Sequence, residues 1–69
     1  MTQNEKIKRH LERYGYITPM DAMNDYGIMR LASRINELRK AGEKIVSRNT
    51  KSVNRFGEPV HYAVYFREA

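Results

Sequence analysis

Cysteine and tryptophan are both missing from this 69-residue chain, and proline occurs only twice. Without a thiol there is no disulfide staple, no Cys nucleophile, no CxxC redox pair and no zinc knuckle. His10 and His61 are the only imidazoles and lie far apart, so neither a metal nor a cofactor is expected. No apolar run approaches the roughly 20 residues of a membrane span, and the opening MTQNEKIKRH has no apolar signal core. The expectation is a cytoplasmic protein without a membrane partner. No set of nucleophile, base and oxyanion donors and no Gly-rich phosphate cradle can be assembled, so the chain does not read as an enzyme. Its length suits one domain over residues 1–69, and a chain this short buries only about 60% of its unfolded surface.

What the chain does have is positive charge, net +5, unevenly placed. Residues 27–56 carry Arg30, Arg34, Arg39, Lys40, Lys44, Arg48, Lys51 and Arg55 against only Glu37 and Glu43. The remaining segments nearly cancel. A positive field concentrated on one stretch suits a surface that meets a polyanion.

Thr2 and Glu5 have capping-box spacing, and Ile7, Leu11 and Tyr14 recur at helical spacing, which predicts a first helix over 3–14 ended by Gly15. Tyr16 and Ile17 read as a short apolar connector. Thr18 caps a second helix that starts at Pro19, where a missing N–H costs nothing, and runs to about Tyr26 before Gly27. Met20 or Ala22, together with Met23 and Tyr26, would face its core. Ile28, Leu31, Ile35 and Leu38 form an i, i+3, i+7, i+10 stripe, predicting a third helix over about 28–41 that stops at Gly42. Beyond it the period changes. Strands are expected over about 44–50 and 61–66, joined by the basic loop KSVNRFGEP with its turn formers Asn54, Gly57 and Pro59. Period alone leaves open whether Tyr62, Val64 and Phe66 or Ala63 and Tyr65 face inward. The pattern is mainly α, of the α+β class: three helices and a C-terminal two-stranded hairpin.

Projected at 100° per residue, the third helix turns Arg30, Ser33 and Glu37 away from its apolar stripe, with Met29, Asn36 and Lys40 beside them and Arg34 flanking. A helix fits the DNA major groove, where Arg reads guanine, Ser and Asn reach other base edges, and Glu accepts from cytosine. Arg30, near the start, is best placed to read bases, and Lys40 to touch phosphate. Met29 is expected to be exposed and suits a thymine methyl. The hairpin loop, at about 48–58, adds Lys51, Asn54 and Arg55 as a second contact element for a neighbouring backbone or groove.

The residues Thr18-Pro19 through Ala22, Tyr26-Gly27-Ile28, Arg30-Leu31-Ala32-Ser33-Arg34-Ile35, Glu37-Leu38-Arg39 and Ala41-Gly42 resemble the small winged helix-turn-helix proteins of phages and bacteria. Ile45 and the loop Asn54-Arg55-Phe56-Gly57-Glu58 look like that family's wing, so the resemblance spans nearly the whole chain. It implies a trihelical core with a two-stranded wing and sequence-specific binding of double-stranded DNA, often in a regulatory role. It marks Met29, Arg30, Ser33 and Arg34 as recognition-helix positions and Lys51, Asn54 and Arg55 as wing positions.

Several residues carry blander expectations. Met20 and Met23 read as core filling, His10 and His61 as surface or boundary residues, and Asp21 and Asp25 as solvated. Phe56 is expected to fold back onto the hairpin and Arg39 to be structural or solvent-facing. The tyrosines read as amphipathic rings closing a small core rather than as a stacking platform for single-stranded bases. A different class of function uses the same faces: an adaptor or inhibitor that binds an acidic protein partner. Monomer and homodimer both remain open.

Overall fold

Helix starts and stops fall where the capping residues put them. The computed structural model describes residues 1–68. In it α1 spans Gln3–Tyr14, α2 Pro19–Tyr26 and α3 Leu31–Lys40. At α1 the Thr2 hydroxyl accepts from the Glu5 N–H at 3.2 Å, and the Glu5 carboxylate accepts from the Thr2 N–H at 3.3 Å. The Thr2 backbone and side-chain hydrogen bonds hold the Glu5 carboxyl below its ordinary value. Thr18 and Asp21 repeat this reciprocal pair at α2, at 3.1 and 3.2 Å. Asp21 is therefore a cap partner and not a merely solvated acid.

The third helix begins later than the apolar stripe predicts. Gly27 adopts φ +68° and stops α2, and Arg30 (φ −117°, ψ 61°) is still non-helical, so 28–30 form the turn. Ile28 is nonetheless buried, because the turn drops it into the same core that receives Leu31 and Ile35. That is why spacing alone extends the helix backwards. At its other end the Glu43 N–H donates to the Leu38 carbonyl and the Gly42 N–H to that of Arg39, each at 3.0 Å. This is a Schellman closure, with Gly42 at φ +99°.

Three strands follow a different plan from the expected pair. Tyr16–Ile17 is β1, Ile45–Val53 is β2 and Pro59–Arg67 is β3, in antiparallel order β1-β3-β2. The presumed connector thus pairs with the last strand, Tyr16 opposite Phe66 and Ile17 opposite Tyr65. The hairpin strands are also longer than predicted. Lys51, Ser52, Val53 and Pro59, expected in the loop, continue the ladder and leave only 54–58 as the turn.

Every element sends a side chain to the core: Ile7 and Leu11 from α1, Ile17 from β1, Ala22 from α2, Leu31, Ile35 and Leu38 from α3, Ile45 from β2 and Tyr65 from β3. Strand alternation puts Ala63 and Tyr65 on the inner face and Tyr62, Val64 and Phe66 on the outer one. There Phe66 lies 6.3 Å from the Tyr16 ring and 5.6 Å from the Arg48 guanidinium.

Three core assignments need correction. Met20 and Met23 are 66% and 41% exposed. In so short a helix the buried line runs through Ala22 and Tyr26; Met20 projects to the opposite side and Met23 to the flank. His10 is buried, its Nδ1 2.7 Å from the Tyr26 hydroxyl, because α2 crosses α1 at that turn.

Gly27→Ala should destabilise the fold by about 1–2 kcal/mol through its left-handed φ alone, since an added Cβ meets nothing within 4 Å. Thermal unfolding followed by circular dichroism checks this.

Candidate nucleic-acid interface

Burial of Leu31, Ile35 and Leu38 fixes the rotation of α3 and therefore what it offers to solvent. The opposite side carries Ser33, Asn36 and Lys40, with the small, exposed Ala32 beside them. Ser33 is half-buried, whereas Asn36 and Lys40 are exposed. Met29, 80% exposed as expected, and Arg30 precede the helix on its N-terminal turn. Asn36 was set beside the outward face by the sequence projection and not counted among its contacts. Its signal was present, since it lies three residues beyond Ser33 and four before Lys40.

Arg34 and Glu37 occupy a different place from the one expected. Arg34 Nη2 lies 3.1 Å from Glu37 Oε2, and Glu37 Oε1 accepts from Asn4 Nδ2 of α1 at 3.1 Å. Packing of α1 against α3 brings Asn4 within reach of Glu37, so both side chains are paired within the protein although Glu37 stays exposed at the surface. Arg34 is half-buried and its Nε has no hydrogen-bond partner. Arg39 takes the structural role left open for it. Its Nε donates to the Ile45 carbonyl at 2.9 Å, tying the end of α3 to the start of β2. Lys8 bridges to Glu43 at 2.9 Å on the surface, and that bond raises the Lys8 pKa above its ordinary value.

The wing extends beyond the core, and residues 51–62 are all exposed. Its tip is ordered by Asn54. The Asn54 Oδ1 accepts from the N–H groups of Phe56 and Glu58 at 2.9 and 3.0 Å, and its Nδ2 donates to Glu58 Oε1 at 3.2 Å. The side chain expected to contact DNA is thus occupied in shaping the turn. Phe56 does not fold back onto the hairpin; it is 85% exposed at the tip. Arg55 stands beside it in the turn, and Lys51 lies opposite His61 on the ladder. Among the described residues Arg30, Arg39, Lys40, Arg48, Lys51 and Arg55 make no ion pair; Arg39 donates to the Ile45 carbonyl and Arg48 lies over the Phe66 ring, whereas Arg30, Lys40, Lys51 and Arg55 have neither engagement. Two nine-residue strands reach about 30 Å in a molecule measuring 39 × 23 × 20 Å.

Three helices closed by a C-terminal hairpin, with α2, a tight turn and α3 in succession, define a winged helix-turn-helix arrangement. A family model described as a winged helix-turn-helix domain matches residues 2–68, and the chain belongs to that family. Comparison with curated proteins and with solved structures gives no match. No helix among the described residues is long and apolar enough to cross a membrane.

Asn54→Ala should open the wing tip, with faster hydrogen exchange at the Phe56 and Glu58 amides and a loss of about 1 kcal/mol or less in global stability. Unchanged exchange at both amides would show that the turn does not depend on this side chain.

Proposed function

We propose that the protein binds double-stranded DNA with α3 in the major groove and the wing on neighbouring backbone. Arg30, Ser33 and Asn36 reach base edges, Lys40 meets phosphate, and Lys51 and Arg55 anchor the wing. Arg34 and Glu37 orient α3 against α1 and do not read bases. The observation that carries this reading is the polar, cationic outer face of α3, on whose flank the one carboxylate is already held by Arg34 and Asn4. By resemblance the setting is a phage or bacterial cytoplasm, and the role is transcriptional regulation by occupancy, in which bound protein covers or marks a promoter.

Fluorescence anisotropy on duplex DNA at two salt concentrations tests this. Affinity should fall steeply with salt, and Lys51→Ala/Arg55→Ala should flatten the logarithmic slope by about one unit per phosphate contact removed. Asn36→Ala should cost about 1–3 kcal/mol on a selected site while leaving the slope unchanged. No binding at low salt, or binding indifferent to these changes, overturns the reading and points to the protein-adaptor alternative.

Glu37→Gln should work in the opposite direction. Removing a carboxylate from α3 and releasing the Arg34 charge should tighten duplex binding at low salt and steepen the slope by up to about one unit.

A further inference from the structure

A face of α1 that the DNA reading does not use borders an open cavity of about 470 Å³, within the roughly 300–1,000 Å³ range of small-ligand sites. Lys6, Arg9 and Arg13, at i, i+3 and i+7, stand along its rim, and none of them is in an ion pair among the described residues. Glu12 is the only acid lining it, so the rim carries net +2. Aromatic rings form the floor. His10, only 6% exposed, lies 4.6 Å from the Tyr14 ring at a tilt of 49° and meets Tyr26 edge-on at 5.5 Å. Its Nδ1 is engaged by the Tyr26 hydroxyl, and its other ring nitrogen makes no hydrogen bond among the described residues and is reached by solvent. The Arg13 guanidinium sits 5.5 Å from the Tyr14 ring, joining the cationic rim to the aromatic floor.

We propose that this cavity binds a small planar ring carrying a phosphate, with a free nucleoside monophosphate as the ligand class. The phosphate monoester, near −2 at neutral pH, balances the rim charge among Lys6, Arg9 and Arg13. The ring lies against Tyr14 and Tyr26, and the free His10 nitrogen supplies one directional hydrogen bond. The site is independent of duplex binding and borders Tyr26, the last residue of α2 before the turn into α3.

The test is an NMR titration of the whole chain with adenosine monophosphate, with adenosine and inorganic phosphate as separate arms. Saturable one-to-one shifts centred on His10, Tyr14 and Tyr26 are expected, with adenosine and phosphate each binding more weakly. Arg9→Gln/Arg13→Gln, two exposed positions whose change leaves the core intact, should weaken the nucleotide by about tenfold or more, or 1.4 kcal/mol. No saturation by about 10 mM, or shifts that persist unaltered in the double variant, overturns the proposal. If the double variant instead weakens duplex binding while the nucleotide leaves His10 unshifted, the stripe is a backbone contact and the ligand site is rejected.

Discussion

The whole arrangement hangs on one small apolar core to which each helix and strand contributes and in which few contributions are duplicated. Ile7, Ile17, Ile28 and Ile35 are fully buried and come from α1, β1, the α2–α3 turn and α3 in turn. Burying each such side chain stabilises by about 1.5–3 kcal/mol, a sizeable share of what a domain this small retains. The core therefore does more than hold the chain together. By claiming Leu31, Ile35 and Leu38 it sets the rotation of α3, and so selects Ser33, Asn36 and Lys40 as the face presented outward.

The wing is held by other means. Past Thr50 nothing on β2 is buried, and the hairpin keeps its shape through its ladder and through Asn54, which satisfies two backbone donors of the turn. The two contact elements thus differ in kind: α3 is locked by packing, whereas the wing is a hydrogen-bonded arm with exposed cations and an exposed Phe56. Rigid packing suits the reading of base edges, and an arm suits contact with a backbone whose path varies with sequence.

Electrostatics completes the division. Glu37 would oppose a polyanion if it were free, yet Arg34 and Asn4 pair it at the exposed edge between α3 and α1. Exposed ion pairs of this kind add little stability, so the larger consequence is for the field of the α3 face. Arg39, although exposed, has its Nε committed to the Ile45 carbonyl, whereas Arg30 and Lys40 stand unengaged at the two ends of the helix.

The bounds of the first two helices, their caps, the end of the third and the change from helical to strand periodicity were legible in the sequence because each is decided within a few residues; the start of α3, which has no side-chain cap, was not. Thr2 with Glu5, Thr18 with Pro19, and Gly15, Gly27 and Gly42 act locally. The family and the concentration of charge on α3 and the wing were legible for the same reason, since motif and composition survive projection onto a line. Only the tertiary structure decided that Tyr16–Ile17 joins the sheet, that His10 is buried under Tyr26, and that Ala63 and Tyr65 face inward. It alone withdrew Arg34, Glu37 and Asn54 into internal hydrogen bonds and brought Asn36 forward. The sheet pairing, the burial of His10 and the Asn4–Glu37 bond depend on partners 16 to about 50 residues away in the chain. The Arg34–Glu37 pair and the Asn54 turn are local, but a hydrophobic period does not encode which polar side chains will meet.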